Sequence, residues 1–165
     1  MAASVDDVCE KLDNLFLRSL ELMDEKIALT LQLENQMRDG HIELAKTRYI
    51  RGKESVGILQ VPQDSTINSL FDLETIFNEE NANQSIATPH FDISMKSKEN
   101  GNDNNDPIRW FGVLVPQSLK TAQKRFQQSI YLSTKIANID SELERIPKDF
   151  EDSKKLKSSL INVEE

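Results

Sequence analysis

Residues 4 to 51 read SVDDVCEKLDNLFLRSLELMDEKIALTLQLENQMRDGHIELAKTRYIR, with no proline and a single glycine, Gly40. Nothing in this stretch forces the backbone out of a helix. Ser4 is suited to cap its start, and Asp6 and Asp7 fall in the first turn, where the positive end of the helix dipole favours acids. Phe16, Leu20, Met23, Ile27, Thr30, Met37 and Leu44 recur at coiled-coil spacing. A second row, Val8, Leu12, Leu15, Leu22, Leu29 and Leu33, runs beside the first and makes the stripe broad enough for more than one partner helix. Glu34, Gly40 and His41 weaken the seam toward its end, which predicts local fraying or bending.

Working outward, Pro116 is suited to the first turn of a second helix, with Val115 held extended before it. The stripe of that helix reads Leu119, Ala122, Phe126, Ser129, Ser133, Ile136, Asp140 and Leu143, flanked by Ile130 and Ala137. Pro147 should end or kink it near residue 146, leaving 147–163 for a short C-terminal helix with Phe150, Leu156, Leu160 and Ile161 as its apolar positions. Residues 1–51 carry a net charge of -3 and residues 117–165 a net charge of +1, which favours antiparallel pairing of the two helices. The expected fold is mainly α, a single antiparallel two-helix coiled-coil hairpin domain spanning 1–165.

Between the helices, residues 52–115 form the tip and an insert. Ser55–Gln63 and Trp110–Gln117 each hold a glycine, a Val- and Leu-rich run, and then Val-Pro-Gln. Both read as short strands stopped by proline, and they would pair as a two-stranded β ribbon across the tip. Thr66 to Phe77 suits a short amphipathic helix or a loosely docked segment. Residues 78–106, rich in Asn, Asp, Glu, Ser and Lys, are expected to be a disordered acidic insert.

With 6% aromatic residues, five glycines and five prolines, the chain lacks both the fillers of a compact globule and the turn formers of an all-β fold. A net charge of -8 excludes nucleic acid as a default partner and gives no general attraction to anionic lipid. One cysteine, Cys9, allows no intrachain disulfide and suggests a reducing compartment. The acidic N-terminal residues do not read as a secretory signal, and no apolar run is long enough for a direct membrane span. Any membrane association would therefore have to come through a partner.

Catalytic chemistry finds no foothold. His41 and His90 sit in different segments, neither with a Cys or a second His at ligand spacing, so no metal is expected. Cys9 has no nearby base and reads as packing. No phosphate loop, nucleophile elbow or dinucleotide fingerprint occurs, which predicts a protein that is not an enzyme and takes no cofactor. The adjacent aromatics Trp110 and Phe111 carry two readings. They plug the end of the hairpin core, or with Val113 and Leu114 they anchor a partner.

DPIRWFGVLVPQSL over residues 106–119, followed by Ala122, Gln123 and Phe126, resembles the signature of the coiled-coil vacuolar proton-ATPase (V-ATPase) assembly factors, the family of animal coiled-coil domain-containing protein 115 and its yeast counterpart. A second match is LAKTRY over 44–49, then Gly52, SVG over 55–57, Leu59 and Gln60. The helices agree only in heptad character, and the insert shows no specific similarity. The resemblance implies a non-catalytic factor on the cytosolic face of the endoplasmic reticulum, extending to endoplasmic reticulum to Golgi intermediates. It implies as partners a membrane-embedded V-ATPase assembly factor and V-ATPase membrane-sector subunits. The matched segments nominate Arg48, Tyr49, Trp110, Phe111, Val113, Leu114, Pro116, Leu119 and Phe126 as partner-binding residues. A prefoldin-like chaperone subunit and a coiled-coil trafficking scaffold are the alternatives.

Overall fold

The computed structural model describes residues 4–63, 67, 69–78, 88–96 and 106–164. Helix α1 runs Val5–Arg51 and helix α2 runs Gln117–Glu164. The Ser4 hydroxyl accepts from the Asp7 N–H at 3.1 Å, while the Asp7 carboxylate accepts from the Ser4 N–H at 3.0 Å. This reciprocal box satisfies two N–H groups that the first turn leaves without helical partners. At the other end the Gly52 N–H donates to the Arg48 carbonyl, and Gly52 takes φ +89°, a turn that only a residue without Cβ makes freely.

The helices pack antiparallel. Arg18 meets Glu142, Lys26 meets Asp140, Gln36 meets Arg125 and Thr47 meets Ser118, so positions advance on one helix as they retreat on the other. The α1 seam is the second of the two apolar rows. Val8, Leu12, Leu15, Ser19, Leu22, Lys26, Leu29, Leu33, Gln36, Gly40, Glu43 and Thr47 follow a continuous four-three repeat, and none of them is exposed. The row led by Phe16, Leu20, Met23 and Ile27, read above as the primary seam, points outward, each of these four between 47% and 61% exposed. Polar partners explain the choice. Glu34 interrupts the outer row with no hydrogen bond or ion pair among the described residues, whereas Lys26 and Gln36 in the inner row meet Asp140 and Arg125. On α2 the seam runs Ser129, Leu132, Ile136, Ile139, Leu143, Ile146, Phe150 and Ser153. Leu132 and Ile139 thus replace the expected Ser133 and Asp140. Leu22, Ile139 and Ile146 form the buried centre, with Leu15, Leu29 and Leu143 against it.

Pro147 neither ends nor divides α2, which continues to Glu164, so the segment expected as a separate C-terminal helix is part of α2. The proline removes one helical hydrogen bond but lies exposed, while Ile146 and Ser153 on either side stay buried in the seam.

A two-stranded antiparallel ribbon does lie between the helices in sequence, but from other residues than expected. Strand β1 is Phe71–Asn78 and strand β2 is Thr88–Met95, with Leu73 opposite Ile93 and Thr75 opposite Phe91. β1 occupies most of the segment read as an amphipathic helix, and β2 lies inside the segment read as disordered. The remainder of that segment, 79–87 and 97–105, falls outside the described residues. Neither Val-Pro-Gln run is a strand. Lys53–Val56, Ile58–Gln60 and Pro107–Phe111 are 3-10 turns instead. Pro107 begins the third turn behind Asp106, whose carboxylate accepts from the Ile108 N–H at 3.1 Å, and Gly112 leaves it at φ +108°. These caps curl the chain where the Val- and Leu-rich composition suggested extension.

The ribbon is held to α2 by its inner strand. The side-chain amide of Asn138 accepts from the Phe91 N–H at 2.7 Å and donates to the Phe91 carbonyl at 2.9 Å, standing in for a third strand. Phe71 adds an edge-on ring contact with Tyr131, centroids 5.5 Å apart.

Candidate functional site

The closed end of the hairpin is organised by polar contacts that hold two apolar loops. Thr47 is fully buried, and its hydroxyl lies 2.9 Å from the Glu43 carbonyl and 2.7 Å from the Ser118 hydroxyl. With its one proton committed to Glu43, Thr47 accepts from Ser118, which locks the end of α1 to the start of α2. Arg48 Nε donates to the Val56 carbonyl at 3.2 Å and Arg51 Nη2 donates to the Leu114 carbonyl at 2.9 Å. One basic side chain therefore fixes each loop to α1. Asp106 also accepts from the Gln123 amide at 2.6 Å, seating the Pro107–Phe111 turn on α2.

This scaffold turns large apolar side chains to solvent. Tyr49 is 93% exposed, Val113 99% and Leu114 82%. Ile50, Ile58 and Leu59, which are not among the nominated partner-binding residues, are exposed as well. The signal available for them was Ile58-Leu59 directly after Gly57, in a segment that reads as strand only if it has a partner strand.

The nine candidate residues divide into two groups. Arg48, Tyr49, Val113 and Leu114 are exposed at the tip, whereas Leu119 is buried and Pro116, Phe126, Trp110 and Phe111 are half-buried. Phe126 is a packing residue: its ring meets His41 edge-on at 5.2 Å and rests on Gly40. Beside the tip, Leu44, Phe71, Phe111, Leu119, Phe126 and Ile130 line an open, largely apolar groove of about 450 Å³. Leu44, Phe71 and Ile130 come from three different elements, so the groove has no linear signature. Phe111 therefore belongs partly to each of the two readings, half-buried and yet lining a groove.

Among the described residues no group of three His, Cys, Asp or Glu side chains converges as a metal site, and no helix is long and apolar enough to cross a membrane.

The family model for Vma22/CCDC115 matches residues 73–129, from β1 through the Pro107–Phe111 turn into α2. The vacuolar ATPase assembly protein VMA22 of Mus musculus is 29% identical over 157 residues, 85% of this chain and 87% of that protein. Its namesake in Homo sapiens is 26% identical over 155 residues, 84% and 86% of the two chains. The Danio rerio protein of the same name is 28% identical over 167 residues, 77% of this chain and 79% of its own.

Proposed function

We propose, from its similarity to the Vma22/CCDC115 family, that the chain is a non-catalytic assembly factor for the membrane sector of the vacuolar proton-pumping ATPase. It works on the cytosolic face of the endoplasmic reticulum and of endoplasmic reticulum to Golgi intermediates, through a membrane-bound assembly partner. The observation that carries this reading is similarity over most of the chain to proteins named for vacuolar ATPase assembly, with the family-defining segment reaching into the closed end of the hairpin.

The geometry supports a docking role for that end. Val113 and Leu114 are held out on a loop pinned by Arg51, and exposed apolar side chains on a fixed scaffold lose little conformational freedom when a partner covers them. Replacing both with Asp in cells lacking the native protein should abolish co-purification of membrane-sector subunits and of the membrane-bound partner, and organelle acidification should fall with it. Circular dichroism of the purified variant should match the parent, because neither side chain is packed. Full acidification with this variant would remove the tip from the mechanism. Full acidification with the whole protein deleted would remove the assembly role.

A further inference from the structure

We propose that the outward row of α1 is a second docking surface, and that its occupant is an amphipathic helix with a basic edge. Phe16, Leu20, Met23, Ile27 and Leu31 lie on one face of α1, each 47% to 61% exposed, while Val8, Leu15 and Leu22 face α2. At about 1.5 Å per residue the row extends about 22 Å, or four turns. Together these side chains present apolar surface on the order of several hundred Å², the size at which exposed patches mark interaction sites. A single helix face fixes their common direction, so a straight, rigid partner can meet all of them.

The ribbon leaves this face open. β2 packs on the opposite flank of the helix pair, where Arg18, Glu25, His90, Asn138 and Glu142 line one cleft. Moving round α1 by 100° per residue, the seam and the outer row are adjacent faces, and the far edge carries Asp24 beside the row and Asp13, Glu10 and Asp6 in line with it beyond its N-terminal end. All four are exposed, and none is in an ion pair among the described residues. The three bases of this part of α1 do not neutralise them. Arg18 and Lys26 are turned to Glu142 and Asp140 on α2, and Lys11 lies roughly opposite Asp13.

An apolar strip with an acidic margin selects its partner by charge. Lys or Arg along one edge of an incoming helix would complete pairs that α1 leaves open, in the manner of the flanking positions of a coiled coil. An anionic bilayer would be repelled by the same margin, and a second copy of this chain would bring acids rather than bases along its own outer row. This proposal stands apart from the assembly role, since it rests on α1 alone.

The test uses the full chain and two synthetic amphipathic peptides of about five turns, with leucine along one face and either lysine or glutamate along one edge. Fluorescence anisotropy should show saturable one-to-one binding of the lysine peptide and at least tenfold weaker binding of the glutamate peptide. Leu20→Ser with Ile27→Ser should weaken the lysine peptide at least tenfold with an unchanged thermal melt, because both side chains are outside the core. Asp13→Lys with Asp24→Lys, which leaves the apolar row intact, should reverse the preference between the two peptides. Equal binding of both peptides, or binding indifferent to the serine pair, would overturn the proposal. So would sedimentation of the parent as a dimer that the serine pair dissociates, or flotation with phosphatidylcholine and phosphatidylserine vesicles that the serine pair abolishes.

Discussion

Gly40 is buried in the last third of α1, where a Cβ would stand 3.0 and 3.1 Å from two atoms of the Phe126 ring. Glycine in a helix costs about 1 kcal/mol relative to alanine, and its usual reading is a weak point. Here the missing side chain is the seat of a ring from the other helix, and α1 continues through it. Gly40→Val should therefore lower stability by about 1–3 kcal/mol in urea denaturation, the range for overpacking a fitted contact. Asp7 gives a second residue-scale expectation. The Ser4 N–H, and then the Ser4 hydroxyl, hold its carboxyl below the ordinary value of 3.8. The folded state therefore binds this proton less readily than the unfolded chain. The stabilisation is complete above the ordinary carboxylate pKa and is lost as pH falls through the lowered value. Amide exchange over Val5 to Leu12 should quicken in acid at lower pH than an unassisted Asp would give, and Asp7→Asn should flatten that dependence.

At the scale of elements, the ribbon depends on one side chain. Asn138 satisfies both backbone groups of Phe91 on the edge of β2, and without it those groups lose their partners against the face of α2. Asn138→Leu should release protection of amides in 88–95 in hydrogen exchange, while amides of the α1 and α2 seam remain protected. Loss of helix protection together with the ribbon would show that the two form one cooperative unit. The ribbon was illegible beforehand for a physical reason. Ile67, Leu70, Phe71, Leu73, Ile76 and Phe77 satisfy both a helical and an alternating pattern, and a short apolar run does not arbitrate between them. Its mate, Thr88–Met95, sits amid polar composition, and its stability comes from β1 and Asn138, which local sequence does not display. At the tip the error ran the other way. The run around Val56 to Gln60 curled into 3-10 turns, and Val113 to Val115 follow the Pro107–Phe111 turn as irregular chain, because Asp106, Pro107 and the two positive-φ glycines set the backbone first.

At the scale of the whole molecule, a hairpin has one narrow seam, and its stability concentrates there. Leu22 is 1% exposed at the centre of the buried cluster, and Leu20, two residues away, is 47% exposed. Leu22→Ala should cost about 2–5 kcal/mol, a large part of the stability of a small domain, whereas Leu20→Ala should move the melting temperature little. The comparison, read by thermal melts of the two variants, separates the face that builds the fold from the face that stays exposed. The surface ion pairs Arg18–Glu142 and Lys26–Asp140 set antiparallel alignment more than they add to stability, since both are substantially exposed.

The sequence by itself determined the two long helices, their antiparallel pairing and the capping of α1, because heptad spacing, caps and dipoles are local properties that a single segment carries whole. It also displayed, through residues at the tip, a resemblance to an assembly-factor signature. Only the tertiary structure decided which apolar row faces inward, since both rows satisfy the same period and the choice lies in matching Lys26 and Gln36 to partners far along the chain. It likewise decided that Pro147 is tolerated, that Thr88–Met95 is a strand, and that Val113 and Leu114 stand clear while Phe126 is packed. Each of these depends on what meets the side chain across the fold, and no local pattern records that.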